Sequence, residues 1–328
     1  MRDRRLEALT VLVGIVLGCV AFMTIKTKEH YDSIFRGKTE TGVIGEKEEK
    51  SESENRNENE KGSEEEDNTK RSNIVNAIDF QPIINEWVAQ TTGEKGIIIY
   101  DLDLGVVSGS YHADEKFKTA SLYKLFVVYE GYRRIQNGVW GENDLVGGTG
   151  FFTLNCLDLA IRESDSVCAE SLWARIGYDE LDRIVATDFG LPKMQVKSLA
   201  AMPMEIAIML KLFYNHSEII RSDLVEIMKD SFLNQPTINN HDWRKGLPSG
   251  FSERVKVYNK VGWEYNDGKL LVYNDAAIVE FADEGRHFIV VVMTDQVPIN
   301  NIREFGAKLE EAFYENEVEF MTANIVSK

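Results

Sequence analysis

A serine and a lysine stand three residues apart in the segment 119–128, at Ser121 and Lys124. In a helix this spacing places the hydroxyl and the amine on one face. A serine hydroxyl is a weak nucleophile until a base removes its proton, and a lysine whose charge is disfavoured by burial can be that base. The apolar spacing that follows, ending at Asn137-Gly138, predicts such a helix with Ser121 in its first turn. The pair suggests acyl transfer, although about one Ser-x-x-Lys arises by chance in a chain of this length.

Two further segments carry polar residues that could take part in the same acyl transfer. One contains Ser164-Asp165-Ser166 in a predicted helical region, and the other contains Lys260-Val261-Gly262 at the front of a predicted strand. In chain order, the three segments resemble the Ser-x-x-Lys, Ser-Asp-Asn and Lys-Thr-Gly motifs of the serine penicillin-recognising enzymes. The resemblance is closest to class A β-lactamases and covers roughly residue 73 to the C-terminus.

The resemblance implies that Ser121 attacks a strained or peptide carbonyl and forms an ester, while Lys124 accepts its proton. Ser164 would pass a proton to the leaving nitrogen, and Lys260 would supply positive potential for Ser164 and for a substrate carboxylate. The backbone N–H groups of Ser121 and Trp263 would form the oxyanion hole. Without the resemblance, Ser164 would serve equally well as a helix cap and Lys260 as a solvated edge-strand lysine.

The three positions that would bind substrate, Ser166, Val261 and Gly262, depart from the family pattern twice. Ser166 stands where the family has an asparagine that contacts both the lysine of the first motif and the substrate amide. The shorter serine predicts the loss of one or both hydrogen bonds. Val261 replaces a hydroxyl residue that binds the substrate carboxylate, so we expect weaker binding of a β-lactam or D-alanine carboxylate.

The third departure concerns the release of the acyl group. Class A β-lactamases carry a loop glutamate that activates the deacylating water, but residues 189–202 contain no acid here. Glu205 is the nearest, and we expect it to cap the helix that follows. An acyl-enzyme would therefore form and persist unless Lys124 also served deacylation, which predicts poor β-lactam turnover.

The N-terminus has the pattern of a membrane anchor. Ala8–Ile25 is an uncharged run of 18 residues preceded by Arg2, Arg4 and Arg5. This length is sufficient to cross a bilayer as a helix, and the arginines favour a cytoplasmic N-terminus. We therefore expect a single-pass protein of the cell membrane with its catalytic domain outside the cytoplasm. A lipoprotein signal ending at Cys19 and a buried soluble helix are the alternatives.

The chain divides into three parts by composition. Residues 1–36 hold the cytoplasmic stub, anchor and juxtamembrane segment, residues 37–73 form an acidic linker, and residues 74–328 form the hydrolase domain. The net charge of the chain is -17, and residues 46–67 alone hold 11 acidic and 4 basic residues. Such a run cannot bury enough apolar surface to order itself, so we expect a disordered spacer. The acidic balance argues against a nucleic-acid partner.

The three cysteines are too few for a framework of several disulfides and do not suggest a zinc cluster. Cys156 and Cys168 could pair only if the chain bends between them, and we expect them to be unpaired. The sequence has no His-Glu-x-x-His pair, phosphate-binding glycine loop or Gly-x-Ser-x-Gly elbow. No metal or cofactor is expected.

The order of the predicted elements favours an α+β domain with a β-lactamase-like architecture, in which a five-stranded antiparallel sheet carries a helical subdomain. The expected helices cover residues 74–89, several segments between 154 and 229, and 300–315. The expected strands cover residues 96–102, 104–111, 255–265, 271–281 and 287–294.

Three functions remain open at this point. The first is a class A β-lactamase-like serine hydrolase that forms an acyl-enzyme at Ser121. The second is a D-alanyl-D-alanine carboxypeptidase or transpeptidase of the penicillin-binding type, and the third is a catalytically degenerate binding module with the same fold. The expected partners are a small-molecule β-lactam or a cell-wall peptide, and the membrane.

Overall fold

The computed structural model describes residues 77–215, 220–233, 235, 237–238, 241–242 and 244–326. The predicted membrane anchor and acidic linker lie outside these residues. Within them, no helix combines the length and apolar character needed to cross a membrane.

A five-stranded antiparallel sheet forms the centre of the domain, as the sequence predicts. Along the sheet the strands follow the order β2-β1-β5-β4-β3, and every neighbouring pair is antiparallel, so β3 is an edge strand. The strands are β1 Glu94–Asp101, β2 Val106–Tyr111, β3 Val255–Asn266, β4 Lys269–Phe281 and β5 Arg286–Asp295. Two-residue strands pair Phe117–Lys118 with Ala200–Ala201, and Thr237–Ile238 with His241–Asp242.

Eight α-helices accompany the sheet in the described part of the chain. They are α1 Gln81–Gln90, α2 Lys124–Gln136, α3 Thr153–Arg162, α4 Ser166–Ile176, α5 Tyr178–Thr187, α6 Pro203–Tyr214, α7 Ser222–Leu233 and α8 Ile299–Val326. Short 3-10 helices cover Ala120–Tyr123, Val196–Ser198 and Leu247–Gly250. The first helix starts later than predicted because Pro82 stands in its first turn, where a missing N–H costs no intrahelical hydrogen bond.

The sheet is covered on both faces, which explains the continuous apolar run in β1. Ile98 belongs to a core shared with the helical subdomain, whereas its neighbours Ile97 and Ile99 belong to a second core under α1 and α8. In that second core the rings of Trp87 and Phe305 lie 4.9 Å apart and join the two helices.

The helix α2 runs through the interior of the helical subdomain. Every residue from Lys124 to Tyr132 is buried, and α3, α4 and α6 pack around the helix. Most of these buried residues are apolar, and the first of them is the lysine of the first motif. The 3-10 turn that carries Ser121 precedes it and lies against β3.

The expectation that Cys156 and Cys168 are unpaired is wrong, because the structure joins them in a disulfide. The short connection at residues 163–165 folds α4 back on α3. This brings the two Cα atoms to 4.9 Å, within the range that a disulfide spans. The bond therefore joins the two helices on either side of Ser164.

Candidate active site

Ser121 lies in the 3-10 turn Ala120–Tyr123 rather than in the first turn of the α-helix. Lys124 is the first residue of α2, so the turn and the helix are continuous. Side chains three residues apart eclipse one another in a 3-10 helix, so Ser121 and Lys124 lie on the same side, as the sequence predicts. Ala120 has a φ of 42°, a left-handed conformation that an alanine adopts only at a cost. The half-buried Ser121 hydroxyl makes no hydrogen bond to another described residue.

The amine of Lys124 is enclosed by the second motif. Its side chain is buried, and Nζ donates to the backbone carbonyl of Ser164 and, over 3.1 Å, to Ser166 Oγ. Burial lowers the pKa of Lys124 to about 8, against the opposing negative charges of Asp165 and Glu170. A substantial fraction of this amine is thus neutral near pH 8 and able to accept a proton.

Ser164 connects the two lysines of the site. It lies between α3 and α4 with a φ of 54°, a second non-glycine residue in the left-handed region. Its Oγ is 2.8 Å from Lys260 Nζ and 3.4 Å from Lys124 Nζ. The disulfide and the cap of α4, in which Asp165 accepts from Cys168 N over 2.7 Å, hold this strained loop in place.

Lys260 lies in β3 with its side chain buried, and its Nζ also donates to the carbonyl of Val261 over 2.7 Å. Burial, and then the nearby charge of Lys124, hold the pKa of Lys260 well below its usual value. The two amines and one hydroxyl form a chain along which protons can move.

The edge strand β3 passes very close to the serine turn at Gly262. A Cβ on this residue would lie 2.4 Å from Thr119 O and 3.1 Å from Ser121 N. Only glycine permits this approach, which brings the backbone of residues 262–263 beside the Ser121 N–H. The predicted oxyanion-hole donors, Ser121 and Trp263, therefore belong to adjacent backbone segments.

The two substituted positions have different surroundings. Ser166 is exposed and keeps a contact with Lys124, so the shorter side chain does not lose the hydrogen bond to the lysine. Val261 is 1% exposed and packs in the core under α1 and α8. Its side chain offers nothing to a substrate carboxylate.

Sequence reasoning missed Asn274, which holds the chain before Ser121 in place. Asn274 pairs with Gly262 in the sheet, and its Nδ2 donates to Lys118 O over 2.7 Å and to Thr119 O over 3.1 Å. Its Oδ1 accepts from Thr294 N over 2.9 Å. An asparagine within a predicted buried strand is the signal that could have identified it, because buried amides need partners.

The acids around the site are placed differently from those of a class A β-lactamase. Residues 189–202 bring no carboxylate, and the predicted cap is confirmed, since Glu205 accepts from Met202 N over 2.9 Å. Glu170 lies one turn along α4 from Ser166, whose Oγ contacts Lys124, and its charge opposes the lowering of the Lys124 pKa. Among the described residues, no group of histidine, cysteine or acidic side chains could hold a metal ion.

The fold and the meeting of the three motifs define a domain of the serine β-lactamase and penicillin-binding superfamily. A sequence model described as the beta-lactamase enzyme family matches residues 79–314, more than half of the chain, and the chain belongs to that family. No curated protein matches the chain.

Solved structures share the fold at low sequence identity. A beta-lactamase from Chitinophaga pinensis DSM 2588 is 17% identical, with a TM-score of 0.59 over 71% of this chain and 97% of that one. PBP-A is 18% identical, with a TM-score of 0.60 over 72% and 96%. An ancestral (GNCA) class A β-lactamase is 17% identical, with a TM-score of 0.60 over 71% and 100%. At these low identities, the TM-scores establish a common fold.

Proposed function

We propose that this protein is a serine hydrolase that forms an acyl-enzyme at Ser121 with a β-lactam or a related amide. The observation that carries the proposal is the buried Lys124 amine, directly after the Ser121 turn, with its pKa lowered to about 8. A neutral amine in this position removes the main obstacle to using a serine as a nucleophile.

In the proposed acylation, neutral Lys124 takes the proton of Ser121 Oγ as that oxygen attacks the carbonyl carbon. The backbone N–H groups of Ser121 and Trp263 stabilise the negative oxygen, each by about 3–4 kcal/mol. Ser164 then delivers a proton to the leaving nitrogen and is resupplied from Lys124 or Lys260, which lie 3.4 and 2.8 Å from its Oγ.

The proposed substrates are a small-molecule β-lactam or a cell-wall peptide. A PBP-A variant that is 19% identical to this chain was solved as an acyl-enzyme complex with penicillin G. With Val261 buried, the recognition of a carboxylate falls to Lys260 and to backbone donors, so we expect weaker β-lactam binding than in a class A β-lactamase. With no acid in residues 189–202, we expect slow deacylation as well.

A D-alanyl-D-alanine carboxypeptidase or transpeptidase of the penicillin-binding type is the second candidate, because slow hydrolysis of a β-lactam acyl-enzyme is normal for such enzymes. The missing loop acid favours it. A degenerate binding module is the third, and Ser166 and Val261 favour it. The preserved contacts among Lys124, Ser164 and Lys260 argue against the third.

We further propose that the N-terminal apolar run anchors the chain in the cell membrane, with the acidic linker holding the hydrolase domain on the outer side. The Cys156–Cys168 disulfide supports this location, because such bonds persist in oxidising compartments and are rare in the cytosol.

The deciding experiment is the intact mass of the full-length chain, in mild detergent, after incubation with penicillin G. We expect a mass increase equal to that of the drug on the unmodified chain and none on Ser121→Ala. Ser110→Ala, on the far edge strand β2, is the matched control and should acylate normally. An adduct that survives in Ser121→Ala would exclude Ser121 as the nucleophile, and loss of drug without any adduct would indicate fast deacylation. If no adduct forms and the drug is not consumed, the result favours the binding module.

A further inference from the structure

One face of α4 packs along the first motif and carries a carboxylate. Ser166, Glu170 and Trp173 are four and three residues apart, which aligns their side chains on a single side of the helix. Ser166 Oγ contacts Lys124 Nζ over 3.1 Å, and the Trp173 ring lies 5.1 Å from the Tyr123 ring. Ser166 and Trp173, at the two ends of this row, thus contact Lys124 and Tyr123, which follow directly after Ser121 and Leu122. Glu170 stands between them.

The Glu170 side chain is exposed and unengaged. It forms no hydrogen bond or ion pair with another described residue, whereas the neighbouring Asp165 is occupied by the Cys168 N–H. After burial, Glu170 contributes most to the raised pKa of the Tyr123 phenol, and it also opposes the lowering of the Lys124 pKa. These effects are expected for an exposed carboxylate whose charge acts on the residues directly after Ser121 and Leu122.

We propose that Glu170 is the general base that releases the acyl group from Ser121. This inference rests on the proposed acyl-enzyme. Water between the Glu170 carboxylate and the ester would give its proton to Glu170 while its oxygen bonds to the acyl carbon. The tetrahedral intermediate then breaks its bond to Ser121 Oγ, which regains the proton held by Glu170 by way of Lys124, so that Glu170 is again ionised when the substrate acid departs.

A base in this position is compatible with slow deacylation. The exposed carboxylate lacks hydrogen bonds that would hold one rotamer, so only part of its population faces the ester. Glu170 therefore takes over the function of a loop glutamate from a different element, a helix that already contacts the catalytic lysine.

The test compares the lifetime of the penicillin G adduct on the full-length chain, after free drug is removed, by intact mass over time. We expect Glu170→Gln to lengthen the half-life of the adduct at least tenfold while its rate of formation changes less than about threefold. Glu163→Gln removes an exposed charge beside Ser164 and is the matched control, with an unchanged half-life expected.

Equal half-lives in the unmodified chain and Glu170→Gln would overturn the inference and leave the acyl-enzyme standing. A much slower formation of the adduct in Glu170→Gln would also overturn it, because Glu170 would then act in acylation. If no adduct formed even on the unmodified chain while the drug was intact, the proposed function itself would fail.

Discussion

Two buried lysines share one hydroxyl, and this arrangement limits how many protons the site can hold. Lys124 and Lys260 both lie within 3.5 Å of Ser164 Oγ, and both amines are buried. Burial lowers the pKa of each, and the charge of Lys124 lowers that of Lys260 further, so that protonation of Lys124 opposes protonation of Lys260. Removing the proton of a serine requires such a poorly protonated base.

At the residue scale, this arrangement predicts the pH dependence of acylation. Only neutral Lys124 accepts the Ser121 proton, and its pKa is about 8. The rate of adduct formation should therefore rise about tenfold per pH unit below that pKa and level off above it. The rate is measured by intact mass after short incubations with penicillin G, between about pH 6 and 10 at constant ionic strength.

The matched control is Lys211→Met, which removes another lysine whose pKa burial lowers, in α6. Its profile should coincide with that of the unmodified chain. A rate that stayed constant or fell as the pH rose toward 8 would contradict the role of Lys124 as the base.

At the scale of elements, the distance between the serine turn and the edge strand is set by one glycine and one asparagine. Gly262 allows β3 to approach the turn, and Asn274, its partner on β4, donates to the two carbonyls just before Ala120. The turn is thus attached to the sheet independently of α2. The disulfide fixes the loop that carries Ser164, because it joins α3 to α4.

Gly262→Ala should therefore slow acylation strongly while the fold persists. The added methyl group would lie 2.4 Å from Thr119 O, so the turn must move and the Ser121 N–H leaves its place. A displacement of about 1 Å is enough to lower the acylation rate about 100-fold. The comparison is made with Gly147→Ala, where an added Cβ meets nothing within 4 Å. Equal acylation rates in the two variants would show that the close approach is dispensable.

At the scale of the whole molecule, the domain consists of a sheet between two unequal layers. The helices α1 and α8 close one face, and the helical subdomain built around α2 closes the other. The candidate active-site residues come from the subdomain and from the edge strand β3, so the candidate site lies where these two parts meet.

Removal of residues 1–73 should separate membrane attachment from chemistry. We expect the full-length chain to sediment with membranes and the shortened chain to remain in the supernatant, with acylation rates within about twofold of each other. The double variant Leu12→Arg, Ile15→Arg keeps the linker and should also leave the membrane, since charges at the centre of a span are costly. Membrane association of the shortened chain would contradict the proposed anchor.

The orientation of the chain in the membrane can be measured by protease accessibility. Protease added outside intact cells should cut the linker at residues 37–73 if the domain faces outward. Protection of the linker in intact cells, with cleavage after lysis, would place the domain in the cytoplasm.

Local patterns in the sequence contained most of the fold and the identities of the principal site residues. The apolar runs 97–99 and 288–293, the alternation at the start of β3 and the three motifs each depend on neighbours within about ten residues. The positions of Ser121, Lys124, Ser164 and Lys260 in the chain therefore predicted the fold class and the reaction. The serine turn was assigned to the wrong kind of helix because a 3-10 turn and an α-helix share the spacing of three residues.

Tertiary structure alone decided the remaining features, since they depend on residues far apart in the chain. The disulfide forms because the turn at residues 163–165 folds α4 onto α3, which the sequence alone does not show. The role of Asn274 follows from the register of β3 and β4. The placement of Glu170 beside the first motif depends on which face of α4 meets α2. The sequence by itself determined the elements and the candidate catalytic residues they carry. The packing of those elements determined which carboxylate, amide and hydroxyl lie around the serine turn, because side-chain distances across a core follow from how elements dock.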